Sequence, residues 1–268
     1  MTAPVLAVDR GASFTDFGVV AAGRLTHAES LADRGWEAIA AALLRLERRH
    51  GAGCLVFTGS AAGMPAELRS RAALVGEIDA VGFGGAALSG LSECLVVSAG
   101  TGTAVVHYRE GACRHVGGTG VGGGTIVGLG ALLCGTADPE AIEALALSGR
   151  AGALNLTLAD LGYEGLSFLG ADVTASNFAA PKSRRPEDLA AAVVGLVAET
   201  IGIVASLCAR EAGCPERIVM AGKVARNRAV RRVLGMVGRL YGTGFIFPEN
   251  PGFATVLGAA LKHQAAGA

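Results

Sequence analysis

The chain is short of lysine. Of its 268 residues only Lys182, Lys223 and Lys262 are lysines, and the one that follows a glycine, Lys223, is followed by Val224. The phosphate loop G-x-x-x-x-G-K-[ST] is therefore absent. Net charge is also absent, with 23 basic against 23 acidic residues, so no bulk field draws the chain to nucleic acid or an anionic membrane. Aromatics make up 5%, and no basic tract carries interleaved aromatics. The six cysteines (Cys54, Cys94, Cys113, Cys134, Cys208, Cys214) include no C-x-x-C, which points to neither zinc nor a disulfide frame and to a reducing, cytoplasmic setting. The opening "MTAPVLAVDRG" has too short an apolar run for a signal peptide. One stretch, 189–209, imitates a membrane span, but Glu199 lies near its middle and Glu187, Asp188 and Arg210 flank it. A charge at mid-membrane is costly, so the expectation is a buried helix of a soluble protein with no membrane partner.

What the chain has in excess is glycine, 41 residues, within a composition that is 51% hydrophobic. Half of the sixteen residues of "HVGGTGVGGGTIVGLG", 115–130, are glycine. Each costs a helix or strand about 0.5–1 kcal/mol relative to alanine. Periodicity places this stretch inside a folded unit. "PVLAV" (4–8) reads as a buried strand, "DRGASFTD" as a polar turn, and "FGVVAAGRLTHA" as a hairpin turning at Gly23. A helix at 35–49 carries Trp36, Ile39, Leu43 and Leu46 at helical spacing, "CLVFTG" is a strand, Pro65 opens a short helix, and another spans 79–89. From residue 94 the pattern restarts: "CLVVSAGTGTAVVHYREGACRHV" overlies "VLAVDRGASFTDFGVVAAGRLTH" at a shift of about 89 residues. Helices at 123–134 and 138–147, a loop-rich stretch at 149–186, a long helix at 187–212, a strand at 217–221, a helix at 225–240, a strand at 243–247 and a helix from 253 complete the chain. Parallel strands joined by helices predict an α/β fold with two duplicated lobes, residues 1–93 and 94–268.

A glycine turn that opens a helix is an anion site, because the first N–H groups are unpaired and the helix dipole is positive there. Gly122, Gly123, Gly124 and Thr125 fit that description; close packing that only glycine permits fits it equally. G-x-G-x-x-G occurs at Gly118, Gly120 and Gly123 but follows a third strand, not a first, so it does not read as a dinucleotide site. Asp9 ends the first strand inside a polar turn, where a carboxylate either bonds its own backbone or holds the water shell of a Mg²⁺ that bridges phosphates. The counterpart turn, "AGTGT" (99–103), carries Thr101 and Thr103. Two such turns facing each other across a cleft form a phosphate clamp, the arrangement of the actin, sugar-kinase and Hsp70 group of ATP-binding folds.

With that fold in view, "VSAGTGTAVVHY", "HVGGTGVGGGTIVGLGALL", "DVTASNF", "ELRSRAALVGEIDA" and "ENPGFATVLGAAL" resemble the signature stretches of type II pantothenate kinases, in order and along almost the whole chain. The resemblance implies transfer of the γ-phosphate of ATP, with Mg²⁺, to the 4′-hydroxyl of pantothenate, the first step of coenzyme A synthesis. It also implies a homodimer, with the 187–212 helix building the contact. The glutamate of "TGSAAGMPAE" makes Glu67 the general base. Asp9, Gly11 and Ser13 match the first phosphate loop and Thr101 and Gly102 the second. Gly122, Gly123, Gly124 and Thr125 match the nucleotide turn. The adenine and ribose side falls near "MAGKVARN", with Gly222 and Lys223.

This chain departs from the family at two places. The first loop, D-x-G-G-T-x-x-K in the family, reads "DRGASFTD", with Ala12, Ser13 and Asp16 at altered positions. The lysine has become an acid, which repels phosphate unless Arg10 or Lys223 replaces it. The family arginine before V-G-G, which the resemblance implies contacts substrate or the transferring phosphate, is His115, with Arg114 one residue earlier as the other candidate for substrate binding, and a one-residue shift on a strand changes the face. These departures leave open a kinase for another hydroxylated acceptor, an ATP-binding regulator, and a paralogue that no longer binds nucleotide.

Overall fold

The computed structural model describes residues 3–32, 35–166 and 169–267; positions 167–168 of the expected loop-rich stretch lie outside the described residues. The first repeat runs β1 (Val5–Arg10), β2 (Thr15–Ala21), β3 (Arg24–Leu31), α1 (Trp36–His50), β4 (Cys54–Gly59), α2 (Ala66–Arg71), β5 (Ala72–Leu74) and α3 (Glu77–Ser89). The second begins with β6 (Glu93–Ala99), β7 (Thr103–Arg109), β8 (Ala112–Thr119), α4 (Gly123–Leu129), which continues as a π-helical turn to Cys134, and α5 (Pro139–Ser148). Four short strands follow, β9 (Leu156–Thr157), β10 (Gly165–Leu166), β11 (Leu169–Gly170) and β12 (Thr174–Ser176), with β9 paired to β12 and β10 to β11. The chain ends with α6 (Pro186–Glu211), β13 (Ile218–Ala221), α7 (Arg228–Tyr241), β14 (Phe245–Ile246) and α8 (Ala254–Ala266).

The two sheets carry the duplication. Their orders, β3-β2-β1-β4-β5 and β8-β7-β6-β13-β14, are the same path, with antiparallel hairpins and parallel inner pairs in both. Each hairpin turns through two left-handed residues, Ala22-Gly23 and Glu110-Gly111, the geometry that suits strand twist. Each also slips register by a bulge, at Val19/Val20 and Val105/Val106. The expected helix at 225–240 is split: Lys223–Arg226 form one 3-10 turn, and α7 begins after Asn227, whose side chain accepts from the Val230 N–H at 2.9 Å. An N-cap of this kind fixes a helix start.

α6 is the one helix among the described residues long and apolar enough to cross a membrane, and 56% of its apolar stretch is buried inside the protein. Ala190, Val194, Val197, Ala198, Ile201 and Ala205 join the core under the second sheet, and α5 and α7 pack beside it. Its composition is that of a core helix.

α3 and α8 occupy equivalent places, each following the last strand of its sheet. α8 nevertheless covers the first sheet, packing Val256, Leu257, Ala259 and Ala260 on Val5, Ala7, Val20 and Val56. α3 lies against the second, with Val81 and Ala86 on Val96 and Val106. The two helices meet backbone to backbone. A Cβ at Gly84 would collide with the carbonyl of Ala254, and one at Gly258 with the carbonyl of Ala80. Both helices thus read Ala-x-x-x-Gly at the crossing, and neither glycine has a flexible side chain beside it that can yield. Gly258→Val is expected to cost about 3 kcal/mol or more, read as a fall in the urea midpoint. A loss under about 1 kcal/mol would show that the helices part freely.

Candidate active site

The C-terminal ends of β1 and β6 feed two turns that face each other. Ser13 Oγ lies 2.9 Å from Thr101 Oγ1, so the loops expected to clamp phosphate do meet. In the first turn the Gly11 N–H donates to the Phe14 carbonyl at 3.0 Å, and in the second the Gly100 N–H donates to the Gly102 carbonyl at 2.9 Å. Among the described residues, the N–H groups of Thr101 and Gly102 have no acceptor in the chain.

The glycine turn behaves differently from an open anion cradle. The Gly123 N–H donates to the Gly100 carbonyl (2.7 Å), Gly124 to Thr101 (2.9 Å) and Thr125 to Gly122 (3.1 Å), while the Gly122 N–H is taken by Thr125 Oγ1 (3.2 Å). A Cβ on Gly122 would stand 2.7 Å from the Thr101 carbonyl oxygen. The turn lies against the Gly100–Gly102 turn and spends its amides on that turn's backbone, the close packing that only glycine permits. Gly222, at φ +85°, lies against the backbone of Ala99 and donates to the Pro251 carbonyl at 2.8 Å.

Asp9 sits on the sheet face that looks toward α3 and α8, with Asp16 and Thr58 as its cross-strand partners. Burial, and after it the carboxylates of Asp16 and Glu77, push Asp9 up to about 7, against a partial pull from Lys223. Thr58 is 1% exposed and its hydroxyl has no hydrogen-bond partner. Among the described residues no group of three or more His, Cys, Asp or Glu side chains could hold a metal. A recessed carboxylate crowded by acids, beside an orphaned hydroxyl, fits a cation that keeps most of its waters and shares phosphate ligands, as Mg²⁺ does.

Arg10, one of the two cations expected to replace the lysine, is turned toward the segment after β4. Its Nη1 donates to the Ser60 and Ala62 carbonyls at 3.2 Å each, and its guanidinium stacks 4.5 Å over the Trp36 ring. Trp36 Nε1 donates to the same Ala62 carbonyl at 3.1 Å. Together they tie residues 60–64 to the end of β1, and that segment leads into α2, where Glu67 stands exposed in the first turn. Lys223 is the cation that reaches the first loop, with Nζ 2.7 Å from Asp16 Oδ1.

The register of β8 on β7 decides between Arg114 and His115. His115 pairs with Val106, whose side chain is in the core beneath α3; Arg114 pairs with His107, on the α6 side with Val105. His115 therefore faces the α3 side, with Nε2 3.6 Å from where a Gly118 Cβ would lie. Beyond Lys223, a cavity of about 420 Å³ is lined by Arg226, Arg231, Phe247 and Pro251 among others, with the Arg231 guanidinium 5.0 Å over the Phe247 ring. Sequence reasoning missed Thr58, Glu77 and this cavity: the first two stand inside quoted stretches, "TGSAAGMPAE" and "ELRSRAALVGEIDA", but nothing local marks them as neighbours of Asp9, and the third is assembled from separate segments.

A carboxylate raised on folding binds more protons folded than unfolded between its ordinary range and about 7. Its contribution to stability therefore falls as pH rises through that window. Asp9→Asn removes the loss. The melting temperature of the variant relative to wild type, without divalent cation, is expected to climb from about pH 5 to about pH 8. A flat difference would mean that Asp9 ionises as an ordinary carboxylate.

Comparison with known proteins matches residues 88–262 to the family Fumble. The type II pantothenate kinase of Staphylococcus haemolyticus is 33% identical over 215 residues, covering 76% of this chain and 80% of that protein. Two solved structures resemble the whole chain. The ADPNP-bound activator of the 2-hydroxyisocaproyl-CoA dehydratase from Clostridium difficile superposes with a TM-score of 0.69 at 16% identity, over 98% of this chain and 96% of that one. A ROK family glucokinase from Streptomyces griseus, in complex with glucose and AMPPNP, gives 0.65 at 15% identity, over 97% and 99%. At such identities the likeness establishes the fold, the duplicated actin-like one that the repeat predicted. The likeness in sequence goes further, and over this much of the chain it shows descent: the chain belongs to the Fumble family, that of the type II pantothenate kinases.

Proposed function

We propose that the chain is an ATP-dependent kinase that phosphorylates the 4′-hydroxyl of pantothenate, the first step of coenzyme A biosynthesis. The observation that carries this reading is the approach of the two hairpin turns, Ser13 to Thr101, in a chain of this family. Triphosphate would lie along those turns, on the open Thr101 and Gly102 amides, with Lys223 as the cation. Gly122 to Thr125 support the second turn from behind. The base would extend past Gly222 into the cavity at Arg226, Arg231 and Phe247. Asp9 would hold the water shell of Mg²⁺, which when bound neutralises phosphate charge.

Glu67 would take the hydroxyl proton as phosphorus is attacked. Arg10 and Trp36 act on it indirectly, because they fix the segment that delivers α2. His115, on the α3 side, is the substrate-facing member of the Arg114–His115 pair. Most of the rate would come from positioning and charge, since phosphoryl transfer asks little covalent chemistry of the protein. The homodimer through α6 stays part of the reading. Leu207 on α6 is 54% exposed, and the π-helical turn packed on α6 exposes Leu132 at 80%. Unpaired cysteines fit a reducing cytoplasm.

Glu67→Gln is expected to lower turnover with pantothenate by about 10²–10⁴-fold, read in a coupled ADP assay. The melting-temperature rise that Mg·ATP gives the wild type should be retained by the variant. Turnover near wild type would remove Glu67 from the chemistry, and no thermal response of the wild type to Mg·ATP would remove the kinase reading itself.

A further inference from the structure

The first-lobe turn carries an acid, Asp16, where the family carries a lysine, and a lysine stands opposite it on the second lobe. The structure joins the two. Lys223 Nζ lies 2.7 Å from Asp16 Oδ1 and 3.8 Å from the centre of the Phe14 ring. Asp16 also accepts from Ser30 Oγ, which holds the carboxylate on the sheet. With the Ser13–Thr101 contact, residues of one turn reach the other lobe at three side chains. The remaining lysines are engaged elsewhere, Lys182 on Asp160 and Lys262 on Asp79, and Arg10 holds the 60–64 segment.

We propose that the Asp16–Lys223 pair is a latch across the cleft mouth, and that the nucleotide's phosphates open it by taking Lys223 from Asp16. A triphosphate entering between the turns meets Asp9, Asp16 and Glu77 on one side and a single ammonium already neutralised by Asp16. Phosphate oxygens carry more charge than a carboxylate and compete for the same donors. Asp16 thus sets nucleotide affinity as a positioning residue, acting through Lys223 and not on the substrate. The sign is opposite to that of a phosphate-binding lysine at position 16: removing the acid strengthens binding. The same change loosens the empty protein, because a half-buried pair joining the lobes is lost. A group with a merely structural role would weaken both.

This inference rests on the two turns being the phosphate site. It is tested with the full chain, using a non-hydrolysable ATP analogue with Mg²⁺ in titration calorimetry and the melting temperature of the empty protein. Asp16→Asn is expected to melt below wild type when empty and to bind the analogue about 3–10-fold tighter. Lys223→Met is expected to bind it at least about tenfold weaker. If Lys223→Met weakens binding while Asp16→Asn leaves it unchanged or weaker, the latch is wrong and the phosphate site stands. If neither variant changes affinity, the phosphates lie elsewhere, and the site reading falls together with the latch. Should Asp16→Asn not fold, Asp16→Ser makes the same comparison.

Discussion

Two helices touching at bare backbone join the two sheets whose strand ends carry the facing turns. α3 and α8 each close one sheet, lean across to the other, and begin beside Asp9, where Glu77 and Thr255 lie within its electrostatic reach. Gly84 takes the carbonyl of Ala254, and Gly258 takes that of Ala80. The offsets are identical, so the contact is isologous within a single chain. Small residues at a helix crossing let backbones approach far more closely than leucine would allow. A wider spacing here would separate the sheets, and the turns after β1 and β6 would no longer meet.

Glycine also works indirectly in the Gly122–Gly124 turn. Its N–H groups bind the carbonyls of Gly100 and Thr101, so the turn shapes the neighbouring loop. The open amides belong to that loop, at Thr101 and Gly102. The cost of glycine's conformational freedom is met in one segment, and the resulting order appears in another.

The fold was legible because it is written twice. A shift of about 89 residues aligned the two hairpins, and both turn through paired left-handed residues in the structure. α6 was legible from its length and from Glu199. The candidate site was legible wherever it consists of local strings, as in the Asp9 turn, "AGTGT" and "TGSAAGMPAE". Contacts between distant segments were not. Asp16 and Lys223 are 207 residues apart; the sequence offers Lys223 as a substitute cation for phosphate, but not as the ion-pair partner of Asp16. Arg10 reads as a phosphate cation in "DRG", yet carbonyls of the next strand's loop and the Trp36 ring claim it. The face of His115 is set by the ladder counted back from the Glu110-Gly111 turn, which the string "CRHVGG" does not display. Thr58 opens "TGSAAGMPAE", but its burial beside Asp9 shows only in the paired strands.

α6 also bears on how the protein is made. Twenty-six residues of largely apolar helix leave the ribosome in one stretch, and an unpartnered hydrophobic segment is open to aggregation or mistaken delivery to a bilayer. The order of synthesis works against both. β6, β7, β8 and α5, which pack against α6, precede it in the chain, so these partners are translated before it. Within the helix, Glu199 accepts from Asn177 at 3.1 Å, a partner also supplied by earlier chain, which gives the one mid-helix acid a polar anchor as soon as the helix docks.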